Sequence, residues 1–316
     1  MGGALVQPAA IPAWRVRVIV PCFNRRADVE LLLSDLANLQ PGSPARAELQ
    51  VILVDNASVD PLDSIAGLDS LSLTHLRLDV NAGGSGGFNA GLSRILGSGI
   101  PGDRSELLWL LDSDVRVEPG ALLPLLSEIE SDSSVVAAGS ALVEPASGEV
   151  FEVGGRIDPR SGEYTQPLPE GWRTSKSIDA QYLAACSLLV RRTAVEQAGL
   201  MADLFVNGDD VEWSLRLTQR TGGRLVCVPA SRVRHPHPDK MRTWARYYAA
   251  RNAFFILNAA ASGFRTRLAR GVREVGRALG QSMVGRDDLA ELHLRGLEHA
   301  RSGVMGPAPQ GTLSFE

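Results

Sequence analysis

Four short stretches concentrate the side chains able to bind a metal, move a proton or cradle a charged ligand. Leu110-Leu111-Asp112-Ser113-Asp114 sets two carboxylates two residues apart after an apolar run. Where the chain leaves extended geometry, such a pair offers oxygen ligands to Mg2+ or Mn2+, with phosphates completing the shell. An ordinary Asp-capped turn would use the same residues. Val206-Asn207-Gly208-Asp209-Asp210-Val211-Glu212-Trp213 packs three acids into four residues, which repel unless a cation, helix amides or solvent stands beside them. A carboxylate at a helix mouth is well placed as a general base. Asp209 followed by Glu212 also fits an N-terminal capping box. Asn81-Ala82-Gly83-Gly84-Ser85-Gly86-Gly87-Phe88-Asn89 permits positive φ and close backbone approach to a diphosphate or sugar, or is simply a flexible loop. Finally, Arg234-His235-Pro236-His237-Pro238 holds two imidazoles on a proline-stiffened backbone, competent for Mn2+ or merely solvated.

Positioning these groups requires a framework, and the apolar pattern supplies one. Val16 to Val20 is a β-branched strand stopped by Pro21, and Val29, Leu32, Leu33, Leu36 and Leu39 recur at helix spacing between Arg26 and Leu39. Further strands are expected at Leu49–Asp55, more weakly at Leu73–Leu78, and at Leu107–Leu111. Strand and helix alternating on short links give an α/β fold with a mostly parallel sheet flanked by helices. Ligands of such sheets bind beyond the carboxyl ends of the strands. Those ends carry Asn24, Asp55, Asn81 and Asp112. Residues 135–170 read as short antiparallel strands or loops, 183–198 as strand then helix, with a helix near Asp210 and a short strand 225–228 ending at Pro229.

Composition narrows the classes. The chain has 316 residues, 44% hydrophobic and 22% charged, with 32 basic against 36 acidic side chains. That balance excludes global disorder and argues against nucleic acid as a partner. No apolar stretch is long enough to span a bilayer. The N-terminal MGGALVQPAAIPAWRVR lacks a basic start followed by a long apolar run, so a cytoplasmic protein is expected. Cys22, Cys186 and Cys227 are too dispersed for a disulfide framework or zinc site and read as buried thiols.

Six segments in order then carry a resemblance: Val20-Pro21-Cys22-Phe23-Asn24-Arg25, Val54-Asp55-Asn56-Ala57-Ser58, Asn81 to Phe88, Asp112-Ser113-Asp114, Gly208-Asp209-Asp210-Val211-Glu212, and Tyr247-Tyr248-x-x-Arg251-Asn252. From about residue 15 to 258 the chain resembles family 2 glycosyltransferases with the GT-A fold. The Asn-x-Gly-Gly-x-Gly-Gly-Phe form is similar to the bacterial galactofuranosyltransferase and rhamnosyltransferase branch. The resemblance implies inverting transfer from a nucleotide sugar, best read as UDP-galactofuranose, onto a surface glycan or lipid-linked acceptor. The alternatives are rhamnosyl transfer from dTDP-rhamnose and a non-catalytic nucleotide- or glycan-binding relative. By the same resemblance Pro21, Asn24, Arg25 and Asp55 line the nucleotide, with Asn81, Gly83, Gly84, Asp112 and Ser113 completing the donor site. Asp112, Asp114 and His235 would hold Mn2+ or Mg2+, and Asp210 would be the base. Phe88, Asp209, Glu212 and Trp213 would face sugar and acceptor. Polymerising galactofuranosyl enzymes can carry tryptophans just before the position of Cys186, where this chain has Leu183 and Ala184. A nicotinamide-dependent oxidoreductase fails on the glycine spacing.

Beyond the expected catalytic domain, 15–260, lies a different stretch. Phe264, Leu268, Val272, Val275, Leu279 and Met283 recur every three or four residues, with Arg265, Arg267, Arg270, Arg273 and Arg277 mainly on other faces. A basic amphipathic helix of this kind suits an anionic membrane surface on the inner face of the cell membrane, or packs on the core with its arginines solvated. Residues 261–316 carry 8 basic and 6 acidic side chains, so a net-negative chain has a basic end. The expected organisation is an extension over 1–14, the catalytic domain, a helical tail over 261–301, and a disordered end over 302–316.

Overall fold

The computed structural model describes residues 14–39, 47–65, 71–97, 105–158, 163–236 and 242–313. β1 (Trp14–Cys22) is buried continuously over its last five residues, as a strand covered on both faces must be. It pairs in parallel with β2 (Ala47–Asp55), which pairs in parallel with β3 (Ser72–Arg77). On its other side β1 pairs in parallel with the later strand Glu106–Leu111, β4. Between these strands run α1 (Arg26–Leu39) and α2 (Gly83–Leu96). α1 buries the five apolar residues that defined its spacing.

The second half extends the sheet with mixed direction. After β5 (Arg116–Val117) and α3 (Leu122–Ser131) comes β6 (Val135–Val143), buried along all its length. Short strands follow: β7 (Val150–Glu152), β8 (Arg156–Ile157), β9 (Tyr164–Thr165) and β10 (Ile178–Ala180). β11 (Ser187–Arg191) lies antiparallel between β4 and β6, then leads into α4 (Arg192–Ala198). α5 (Asp209–Thr221) precedes β12 (Arg224–Arg234), which is parallel to β6. Across the described sheet the order is β10-β12-β6-β11-β4-β1-β2-β3. One apolar core under α1 and α3 and another under α2, α4 and α5 sandwich it.

Three expectations are corrected. Of the two readings of the glycine cluster the flexible loop falls: Gly83 to Gly87 open α2, and the missing Cβ atoms of Gly87 and Gly91 let the helix sit on β1. A Cβ on Gly87 would lie 2.5 Å from that of Pro21, and one on Gly91 2.4 Å from Ile19 Cγ2. β12 does not stop at Pro229 but continues to Arg234 across a register shift between Val228 and Arg232. An irregularity is where a residue without an N–H is tolerated. Residues 303–313, expected as a disordered end, fold back over α6 (Ala245–Ala259). There the Tyr248 hydroxyl accepts the Ala308 N–H at 2.9 Å, Asp203 O accepts the Gly306 N–H at 2.6 Å, and Thr312 is buried. Residues 1–13 and 314–316 lie outside the described residues.

The tail helix forms as two: α7 (Phe264–Met283) packs on α8 (Asp287–Ser302), and α8 on α6. α7 turns Arg270, Glu274 and Ala278 inward. Glu274 takes hydrogen bonds or ion pairs from Arg270, Arg277 and His293 Nδ1, each at 2.8 Å. Its apolar row points outward.

Candidate active site

The parallel strands end in register, with Cys22 opposite Asp55 and Asp55 opposite Arg77. β4 reaches the same edge and delivers Asp112. Here the loops tie one another down. Asn24, in left-handed geometry (φ 56°), donates its N–H to Ser58 Oγ at 3.0 Å, and its side-chain oxygen accepts the Val59 N–H at 2.8 Å. Asp55 accepts the N–H groups of Ser58 at 2.8 Å and Leu62 at 3.2 Å and forms an ion pair with Arg77. Burial alone would raise the Asp55 carboxyl, but these partners outweigh it and hold it below the usual range. Asn24 and Asp55 therefore spend polar atoms on shaping the pocket wall that they were expected to line.

The start of α2 forms the next wall. Asn56 accepts the Ala82 N–H at 2.8 Å and donates to Gly83 O at 2.9 Å, while Asn81 accepts the Gly83 N–H at 2.9 Å. Gly83 (φ +72°) lies so close to Phe205 O that a Cβ would be 2.1 Å from it. Phe205 in turn donates its N–H to Ser85 Oγ at 2.9 Å. The Cβ position of Gly84 faces Asp209 Oδ2 at 3.5 Å, so α2 and α5 meet through glycine.

Acidic groups dominate the recess between them. One ligand atom from each of Asp112, Asp114 and His235 lies within 4.8 Å of the others. His235 sits just past β12, its N–H donating to Val143 O at 3.0 Å and its Nε2 3.7 Å from Asp114 Oδ1. His237 lies outside the described residues. Arg25 places its guanidinium 3.0 Å from Asp28 and 3.5 Å from Asp114. Desolvation, then the charges of Asp114 and Asp210, push the Asp112 carboxyl up to about 7. Burial and then Asp210 push Asp209 up to about 8. Asp210 is raised by burial too, against the pull of N–H groups from Ala185 at 3.3 Å and Val211 at 2.8 Å.

A hard divalent cation fits this donor set. Two carboxylates and an imidazole converge, and a buried carboxylate repelled by its acidic neighbours gains from a positive charge.

Several expected contacts are placed elsewhere. Phe88 is buried under α2, and Trp213 is fully buried with its indole N–H donating to Gly199 O at 2.9 Å. Glu212 is held in a fork by Arg216 at 2.8 and 2.9 Å. These three are engaged in the packing of α2, α4 and α5, Phe88 and Trp213 by burial and Glu212 by its pairing with Arg216. Asp209 is buried against Gly84. Pro21 is buried against Gly87, and Ser113 is buried beside the Cys22 thiol.

Other residues at the recess carry no sequence motif. Burial, then Asp210, pushes Glu152 on β7 up to about 8. Tyr164 donates its hydroxyl hydrogen to Asn207 Oδ1 at 2.5 Å and meets Tyr182 edge-on, ring centroids 5.7 Å apart. A lone acid between Phe151 and Val153 gives no signal in one sequence. The Arg251-Asn252 pair, by contrast, stood within a quoted segment, and its role is now visible. Buried Asn252 donates to Leu204, Val206 and Asn207 carbonyls at 2.8–3.1 Å, and Arg251 donates to Leu204 O and Gly306 O at 2.8 Å. Together they fix the loop that precedes α5.

The comparisons with known proteins agree with this architecture. The family model for glycosyl transferase family 2 matches residues 17–197. Galactofuranosyltransferase GlfT2 of Mycolicibacterium smegmatis is 23% identical over 269 residues, covering 76% of this chain and 40% of the relative. GlfT2 of Mycobacterium tuberculosis is 23% identical over 282 residues, covering 81% and 43%. The chain thus spans less than half the length of these curated relatives. Among solved structures, mannosyltransferase PcManGT from Pyrobaculum calidifontis in complex with GDP-Man and Mn2+ superposes with a TM-score of 0.55 at 15% identity, covering 94% of this chain and 77% of that one. S. aureus TarS 1-349 in complex with UDP-GlcNAc superposes with a TM-score of 0.55 at 14% identity, covering 92% of each.

Proposed function

The chain belongs to glycosyl transferase family 2 and carries the GT-A fold, and on that premise we propose that it transfers a sugar, with inversion, from a nucleoside diphosphate donor to a glycan or lipid-linked hydroxyl. The observation that carries this reading is the meeting of Asp210, at the mouth of α5, with Asp112 and Asp114 in one recess, close enough that the charge of Asp210 raises Asp112. UDP-galactofuranose is the favoured donor, supported by the two GlfT2 relatives. Leu183 and Ala184 keep dTDP-rhamnose as the second reading.

Asp112, Asp114 and His235 would hold Mn2+ or Mg2+, which when bound neutralises charge on the departing diphosphate. The loops after β1 and β2 and the start of α2 hold the nucleotide and place its diphosphate beside these carboxylates. Asp210 accepts the proton of the acceptor hydroxyl as its oxygen attacks the anomeric carbon from the face opposite the leaving group. Amides from Ala185 and Val211 favour the ionised carboxylate that this step needs. One displacement inverts the configuration. Asp210→Asn is expected to abolish transfer while nucleotide binding, followed by calorimetry, stays near wild type. Transfer at near-normal rate by this variant would refute the base assignment. A panel of nucleotide sugars with and without Mn2+ identifies the donor.

A further inference from the structure

The inversion of α7 is the feature that the transfer reaction leaves unexplained. A helix packed on a globular core ordinarily buries its apolar stripe. α7 buries Arg270 and Glu274 and exposes Phe264 (72%), Leu268, Val272 (65%), Val275, Leu279 and Met283 (86%), with Val284 following. At 1.5 Å per residue the row runs ~30 Å. An apolar strip of that length on a soluble surface marks an interaction site. Arginines flank it: Arg265, Arg267, Arg273 and Arg277 are exposed, whereas the single acid of the helix, Glu274, is turned inward.

We propose that α7 lies in the headgroup region of an anionic bilayer, its apolar row inserted and Arg265 and Arg267, which have no carboxylate partner among the described residues, on lipid phosphates. Charge selects this occupant over a second copy of the chain. Two α7 helices face to face would oppose Arg265 and Arg267 with no carboxylate of α7 on the exposed faces to answer them, Glu163 being engaged by Arg273 and Arg277, whereas acidic lipid answers both halves of the pattern. The placement also deepens the proposed function, resting on it for the acceptor's nature. Glu163 is held by Arg273 at 3.0 Å and Arg277 at 2.6 Å. Its neighbour Tyr164 bonds to Asn207, three residues before the base. A docked α7 therefore sets the acceptor side of the recess beside the bilayer surface, where a lipid-linked hydroxyl would be found.

The test is co-sedimentation of the full chain with phosphatidylcholine vesicles, with and without phosphatidylglycerol. Binding is expected only with phosphatidylglycerol and weakens with added salt. Leu268→Glu and Leu279→Glu should each reduce it at least tenfold, and Arg265→Gln about fivefold, with unchanged melting temperature and nucleotide binding. Absence of lipid-dependent binding, indifference to both leucine substitutions, or a dimer that either substitution converts to a monomer would overturn the proposal. Vesicle binding without any sugar transfer would refute the enzymatic reading and leave the docking standing. Transfer to a soluble acceptor without vesicle binding would do the reverse.

Discussion

Glu152 offers a quantitative test of how the recess treats charge. Its carboxyl rises from 4.5 to about 8, through burial first and the charge of Asp210 second. A carboxyl whose folded value is raised stabilises the fold below its unfolded value, and that stability is lost as pH climbs through the folded value. Between pH 5.5 and 7.5 the unfolded chain has released this proton while the folded chain still holds it. The two values give a loss of roughly 2–3 kcal/mol across that window, close to the one-proton slope of ~1.4 kcal/mol per pH unit. At 2–4 °C per kcal/mol this is a fall of roughly 5–10 °C in melting temperature. Glu152→Gln keeps the shape of the neutral acid and removes the titration. Melting curves of the metal-free protein in chelator should therefore converge near pH 5, with the variant progressively more stable toward pH 7.5. Parallel curves for the two proteins would refute the claim that Glu152 is held neutral beside Asp210.

Two further outcomes follow from the same geometry. Because burial and its acidic neighbours push the Asp112 carboxyl up to about 7, and a carboxyl acting as a ligand must lose its proton, Mn2+ affinity should weaken about tenfold from pH 8 to pH 6, measured by calorimetry, and Asp112→Asn should flatten that dependence. Gly91→Ala forces a Cβ to 2.4 Å from Ile19 Cγ2 and should cost about 1–3 kcal/mol by overpacking, whereas Gly276→Ala on α7, where a Cβ meets nothing within 4 Å, should gain about 0.5–1 kcal/mol; thermal melts of the two variants compare them directly.

Much of the frame was legible because strands that end on polar residues declare both their direction and their ligand edge. Val16–Val20, Leu49–Asp55 and Leu107–Leu111 emerged as the adjacent strands β1, β2 and β4, with helix α1 over the residues expected. Asp112, Asp114 and His235 are 123 residues apart at the extremes, a convergence that spacing alone could not establish and the family resemblance supplied. Where the reading failed, the cause was packing. Four glycines within five residues look like a loop in one dimension, yet they open a helix in which Gly87 leaves its side-chain space to β1 and Gly83 to Phe205. Phe88, Glu212 and Trp213 share segments with the proposed site residues, but each is buried in packing or held by a neighbour that one sequence does not reveal. Glu152 has no periodic or motif context, and only tertiary contact reveals it.

The buried guanidinium of Arg251 has a consequence for the far end of the chain. It holds the carbonyls of Leu204 and Gly306 in one grip, so residues 303–313 act as a brace on the same loop that carries Phe205 against Gly83 and leads into the base. Shortening the protein before residue 306 would strand a fully desolvated cation donor and loosen, from the opposite side, the wall on which the diphosphate is read to rest. Residues 303–313 are, in that sense, remote parts of the recess.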